Sequence, residues 1–183
     1  MKFLIKLMLA ACLFTSGIAN SDQTNPELDE LFQLLQTATD LEEARVISDQ
    51  IWFNWYQHDD DEVTRLMELG ETSLRRGQLK EAVQIYSRVI ELDQQFAEGW
   101  NRRATTYYMM GRYVESTADV VATLALEPRH FGALSGQGMI YMRLDNSEKA
   151  IEYMEKALEV NPHMLGVQET IEILKKQQQD ETI

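Results

Sequence analysis

Several clusters of side chains in this sequence are of types that could do chemistry. The run His58-Asp59-Asp60-Asp61-Glu62 puts an imidazole beside four carboxylates, and His130 and His163 each follow a proline at matching places further on. Donors in such density suggest a divalent cation. Calcium loops, however, alternate acids with spacers and close on a distant bidentate glutamate, and the acidic run does neither. It reads as a solvated linker that caps the following helix. His130 and His163 lie 33 residues apart, at equivalent places of a repeating pattern. Stacked units would hold them ~10 Å from each other, too far for one ion, so both are expected to be ordinary loop residues. Met109, Met110, Met139 and Met142 could offer thioethers to reduced copper. They lack accompanying histidines, and methionine commonly fills irregular helical interfaces and adaptable grooves. Neither metal nor cofactor is expected.

Catalysis fares no better. No motif sets a histidine beside a serine or an acid, and there is no glycine-rich phosphate loop, so an enzyme is not expected. Cys12 is the only cysteine, which leaves the rest of the chain without a thiol nucleophile or a disulfide. The 183 residues carry a net charge of −13, and removing Lys2 and Lys6 with the first nineteen residues lowers it by two, to −15. Nucleic acid is therefore not expected as a partner, because binding phosphates needs concentrated positive charge. With 44% apolar and 26% charged residues, three prolines and nine glycines, the composition suits one helical globular domain.

Residues 1–19 have the layout of an export signal: Lys2 and Lys6, an apolar run over residues 7–14, and small residues at Gly17 and Ala19. The run is short of the ~20 residues that span a bilayer, so no membrane span is expected. Cleavage after Ala19 would release a mature protein into the periplasm or medium of a bacterium. Leu9-Ala10-Ala11-Cys12 supplies the alternative, lipidation at Cys12 and a tethered lipoprotein.

What must position the remaining side chains emerges when the chain is laid against itself at a spacing of 34 residues. Leu66, Trp100 and Leu134 share a column, as do Gly70, Ala104 and Gly138, then Ala82, Ser116 and Ala150. Tyr107 pairs with Tyr141; Gly77, Gly111 and Asp145 mark an internal turn; Gln94, Pro128 and Pro162 close the units. Small residues recur where two helices approach closely, and proline sits where the next helix begins. Each unit is therefore a helix, a tight turn and a second helix.

These columns resemble the tetratricopeptide repeat, over residues 63–96, 97–130 and 131–164. Ser73 in place of tyrosine, Ser116 of alanine and Gln94 of proline depart from the pattern without disturbing it. The resemblance implies an all-α, right-handed superhelical solenoid of antiparallel helix pairs with about nine helices. The arrangement with an export signal and a tryptophan-bearing helical pair also resembles a group of secreted alphaproteobacterial tetratricopeptide proteins of unsettled activity. Within residues 20–62, Leu28, Leu31, Phe32 and Leu35 precede a turn, and Ala44, Ile47, Ile51, Trp52 and Trp55 follow at helical spacing. Asp40 and Glu43 form a helix-start signature. Ser48, Trp52 and Trp55 fall in the columns of Ala82, Tyr86 and Val89, which predicts a degenerate repeat covering the first true unit. Residues 165–183 supply a capping helix and a disordered tail, with Val167, Ile171 and Leu174 apolar.

The run Trp100-Asn101-Arg102-Arg103-Ala104-Thr105-Thr106-Tyr107-Tyr108-Met109-Met110 then divides between two helical stripes. Trp100, Ala104, Tyr107 and Met110 form the packing stripe, and Arg103 points to a helix junction where it can meet an acid. The groove stripe is Thr64, Met67, Glu68, Glu71 and Leu74 in the first unit, Asn101, Arg102, Thr105 and Tyr108 in the second, and Ser135, Met139 and Met142 in the third, with Gly132 and Gly136 lowering the last wall. Chaperone-binding relatives grip a terminal carboxylate with paired basic residues; Gly132 and Gly136 stand in those positions. The asparagine ladder of sugar-transferring relatives is replaced by Glu68, Arg102 and Gly136. What remains is an exported adaptor or scaffold holding a protein or peptide segment with apolar anchors and some positive charge in its concave groove. The alternatives are a lipid-tethered subunit of an envelope assembly complex and, last, a metal carrier or enzyme.

Overall fold

A computed structural model describes residues 23–180. The described residues form nine α-helices: α1 Glu27–Thr37, α2 Leu41–Tyr56, α3 Asp61–Arg75, α4 Leu79–Leu92, α5 Ala97–Met109, α6 Tyr113–Leu126, α7 Phe131–Arg143, α8 Ser147–Val160 and α9 Leu165–Asp180. The leader, Cys12 and the last three residues of the expected tail lie outside the described residues.

The three pairs α3–α4, α5–α6 and α7–α8 turn in the same way for the same reason. Gly77 and Gly111 sit at φ 72° and Asp145 at φ 54°, a left-handed conformation that ends the first helix of each pair. Around these residues Gln78 N–H donates to Ser73 O, Arg112 to Tyr107 O and Asn146 to Tyr141 O, each at 2.9 Å, satisfying carbonyls the helix ends would leave bare. The small-residue columns then let the helices close. A side chain at Gly70 would stand 2.5 Å from the Tyr86 ring, and one at Gly138 2.6 Å from Met154 Cγ. Ala82, Ser116 and Ala150 are all buried. Ser116 keeps the register of its alanine counterparts because its hydroxyl donates to Ala104 O at 2.7 Å. Successive pairs pack α4 on α5, α6 on α7 and α8 on α9, and Ile171 and Leu174 of α9 cover the last unit beside Ala150, Ile151 and Met154.

The α1–α2 hairpin does not cover the first unit, contrary to the sequence expectation. Its core of Leu28, Phe32, Leu35, Ala44, Ile47, Ile51 and Trp55 closes on Phe131 of the third unit, with Val160 and Met164 packed alongside. Trp55 stacks on the His130 ring at 4.1 Å and 9°, while Trp52 meets Phe131 edge-on at 5.5 Å. Three inter-unit junctions hold it. At the first, Gln23 donates to Gln95 O and accepts from Ala97 N–H. At the second, Arg129 pairs with Asp29 at 2.6 Å and lies over the Phe32 ring. At the third, Gln36 donates to Glu159 O and Val160 O, and Asn161 to Ser48 Oγ. Of the hairpin, Tyr56 at its end does reach the cluster of Val63, Met67, Ala82 and Tyr86 in the first unit.

The acidic run makes the reversal into α3. Asp60 caps that helix by accepting from Glu62 N–H at 2.6 Å. His58 Nδ1 accepts from Asp60 N–H, which leaves Nε2 to donate to Asp93 at 3.0 Å. Asp40 likewise accepts from Glu43 N–H at 2.9 Å.

Candidate functional site

The first helices of the units, α3, α5 and α7, carry the residues expected in the groove, and the structure divides them. Met67 is fully buried in the first-unit core, so its assignment to the groove is corrected. Helix α3 buries this stripe against α4, beside Ala82, Tyr86 and Val89 with Tyr56 packed alongside, and position 67 falls inside it. Leu74 is half-buried against the same core. Thr64 turns to the linker, donating to His58 O at 3.2 Å. Glu71 is held between Arg102 and Arg75, which leaves Glu68 as the exposed acid at that end. Tyr56 of the hairpin faces Arg102 across 5.4 Å. Burial pushes its phenol up to about 12, against the opposing pull of Arg102.

Asn101, Thr105, Tyr108, Ser135 and Met139 come together. They line one depression between α5 and α7 of about 300 Å³, floored by Ala104, Val120, Ala133 and Ile140. A second depression of about 210 Å³ adjoins it past Tyr108 and Met139 and is bounded by Met142 and Arg143. Gly136 opens the first of these: a Cβ there would meet nothing within 4 Å. Gly132, also on its wall, has a different reason, because a Cβ there would overlap Trp52 Cη2 and stand 2.8 Å from Cζ2. Arg143 Nε donates to the Tyr108 hydroxyl at 3.1 Å, fixing the phenol at the rim. The other tyrosine, Tyr107, faces away, beneath the guanidinium of Arg112 at 4.6 Å. Arg103 forks onto Asp119 with two bonds of 2.8 Å and reaches Ser87 of the preceding pair, as its position at a helix junction led us to expect.

Sequence reasoning missed the polar centre beneath the groove. Glu98, fully buried, accepts from Arg102 Nε at 2.6 Å and from Asn101 Nδ2 at 2.8 Å. His130, expected as an ordinary loop residue, is also fully buried. Its Nδ1 caps α7 by accepting from Ala133 N–H at 3.1 Å, so Nε2 carries the proton donated to Glu98 at 3.1 Å. Burial pushes the Glu98 carboxyl up, but Arg102, His130 and Asn101 outweigh it and hold the group below the usual carboxylate range. The signal was a column that does not repeat: Thr64, Glu98 and Gly132 stand 34 residues apart. Among the described residues no group of three His, Cys, Asp or Glu side chains could hold a metal ion, and no helix is long and apolar enough to cross a membrane.

Chemically, then, the α5–α7 furrow offers apolar depressions with hydroxyl and amide groups at their edges. It can receive side chains of a partner. Comparison with known proteins identifies the repeat and the fold. A family model described as TPR repeat matches residues 70–111, and one described as tetratricopeptide repeat matches residues 132–164. A TPR repeat-containing protein of Rhizobium etli is 31% identical over 154 residues, 84% of this chain and 76% of the relative. Among solved structures, the first TPR of Spaghetti (RPAP3) bound to the HSP90 peptide SRMEEVD superposes with a TM-score of 0.61 at 21% identity, covering 64% of this chain and 94% of that one. The Yersinia enterocolitica type III secretion chaperone SycD in complex with a peptide of the translocator YopD gives 0.62 at 12%, covering 66% and 97%.

Proposed function

We propose, from the premise that the chain belongs to the tetratricopeptide-repeat proteins, that it is an exported bacterial adaptor or scaffold that holds a protein segment in the furrow between α5 and α7. The observation that carries this reading is the 300 Å³ depression opened by Gly136. A glycine inside a helix costs ~1 kcal/mol relative to alanine, and nothing among the described residues stands within 4 Å of where its Cβ would be. Two structural neighbours of this fold hold peptides. The volume is at the lower edge of pockets that take whole small molecules and about twice the ~150 Å³ that holds a benzene molecule, which suits one large side chain of a partner. Such an interface is small and its partner must order on binding, so micromolar affinity is expected, roughly −8 kcal/mol.

Crosslinking in living cells from Thr105 and Met139, with identification of what is caught, tests the reading. Tyr108→Ala and Met139→Ala should reduce capture while helicity and melting stay unchanged; undiminished capture by both would move binding to the outer faces. The compartment is proposed on the leader alone. Intact mass should show a chain beginning at Asn20 in the periplasmic fraction, whereas a diacylated Cys12 at the start would replace the soluble adaptor with the tethered subunit.

A further inference from the structure

The two depressions and Arg143 together specify more than an apolar anchor, given the groove reading above. They lie in series along α7, the first beside Gly136, the second bounded by Met142 and Arg143, with Tyr108 and Met139 shared between them. Arg143 is exposed, and its Nε is committed to the Tyr108 hydroxyl. That bond ties one nitrogen of the guanidinium at the edge of the second depression, while its Nη groups meet no acid among the described residues. A guanidinium pinned by one nitrogen presents the other two as a fork that matches a carboxylate. Gly136 and Arg143 are seven residues apart, ~10 Å along the helix. Long helical side chains lean toward the N-terminus, which brings the fork over the turn before Arg143. A lean of up to one turn leaves ~5–10 Å between the fork and Gly136 along the helix, a span that includes the ~7 Å between residues i and i+2 on one face of an extended chain.

We propose that the furrow recognises an extended segment in which a bulky apolar residue and a carboxylate stand two positions apart, the apolar side chain entering beside Gly136 and the carboxylate pairing with Arg143. The charge is complementary at this end of the groove although the protein as a whole is acidic, with 30 Asp and Glu against 17 Lys and Arg. The carboxylate can belong to an Asp or Glu side chain or to a chain end.

The test uses the full-length protein and fluorescently labelled Gly/Ser peptides of about ten residues, a length that spans the furrow in extended form. The parent peptide carries a leucine near its middle, the anchor, and a glutamate two positions later, the acid. Companion peptides replace the anchor by alanine or phenylalanine, replace the acid by glutamine or lysine, or end at the acid's position with a free or an amidated terminus. Binding is read by fluorescence anisotropy. Alanine at the anchor should weaken binding more than about tenfold, since it removes a buried side chain worth ~1.5–3 kcal/mol. Glutamine in place of the acid should cost about threefold to fivefold, as an exposed ion pair does. The first effect should vanish in Gly136→Met, which fills the depression, and the second in Arg143→Gln, with helicity and melting retained in both. Gly136→Ala, a smaller filling, should show a partial effect. Binding by the glutamate peptide assigns the carboxylate to a side chain, and binding by the free but not the amidated terminus assigns it to a chain end; either supports the proposal. Tighter binding of the lysine peptide would overturn it while leaving the groove reading to stand on the crosslinking result. Affinities indifferent to the anchor and the acid, couplings absent in the variants, or no binding by any of these peptides would overturn it as well.

Discussion

Two glycines four residues apart on α7 should respond oppositely to the same change. At Gly136 a methyl group meets nothing within 4 Å, so Gly136→Ala gains the helix propensity and loses no packing, a stabilisation of ~0.5–1 kcal/mol. At Gly132 the methyl would overlap Trp52 Cη2 and stand 2.8 Å from Cζ2. Trp52 cannot swing away cheaply, because it packs edge-on against Trp55 at 5.2 Å and against Phe131 at 5.5 Å. Overpacking of this kind costs ~1–3 kcal/mol. Near 1 kcal/mol per ~2–4 °C for a domain of this size, Gly136→Ala should melt up to a few degrees higher and Gly132→Ala several degrees lower. The assay is thermal and urea unfolding followed by far-UV circular dichroism and by tryptophan fluorescence, to which Trp52 and Trp55 both contribute. The decisive control is the double variant: Trp52→Leu should remove most of the cost of Gly132→Ala, giving a coupling of ~1 kcal/mol or more. If Gly132→Ala were neutral or stabilising, or if its cost were unchanged by Trp52→Leu, the seating of the hairpin on the third unit would be wrong.

Glu98→Gln should destabilise the fold near neutrality by ~1.5–3 kcal/mol, since it weakens charge-assisted bonds of a buried carboxylate to His130 and to the part-buried Arg102, which keeps Glu71. Because the native Glu98 carboxyl is held low, its stabilisation is present above the ordinary value of 4.5 and lost as pH falls below it, so the gap between wild type and variant should narrow in acid urea titrations. Trp55→Ala should cost ~3–5 kcal/mol in the same assay; a change under ~1 kcal/mol would show that the stack on His130 contributes little. Arg103→Lys should destabilise measurably although charge is kept, because one ammonium cannot fork onto both Asp119 oxygens and reach Ser87. Tyr107→Ala should lower the melting temperature, whereas Tyr108→Ala should leave it in place and act on binding; the reverse outcome would exchange their faces.

The repeat was legible because it is written many times. Each column states the same contact in three places, so Gly70 beneath Tyr86 and Gly138 beneath Met154 confirm one another, and Asp145 at φ 54° makes the turn that glycine makes in the other two units. Helical spacing read in the register of the repeat put Thr105, Tyr108, Ser135 and Met139 on one stripe, and all four line one depression. Met67 was misplaced, since the stripe α3 turns to α4 adjoins the stripe it leaves free, and one position of angular error carries a residue from groove to core. The hairpin occurs once and has no column to check it. Periodicity gave its inner face, but which face of the solenoid it meets depends on features that appear singly: the space at Gly132, the ring of His130, and Phe131. Glu98 escaped for the same reason. Its i, i+4 partner Arg102 reads as a surface pair, and its third partner is 32 residues away.

A stack of helical pairs in which each touches its neighbours alone behaves as a spring, whose pitch yields easily when a guest winds it tighter or looser. Here the hairpin is tied to all three junctions, through Gln23, through Arg129 with Trp55, and through Gln36 with Asn161. Any change of pitch must alter the distance between those ties, and so must break hydrogen bonds or unstack a tryptophan. The coil is braced along its length like a beam. On the proposed groove reading, a guest would meet a furrow of fixed width and gain little by remodelling it, which would shift discrimination onto the fit of individual side chains and spare the complex the entropy of tightening its host.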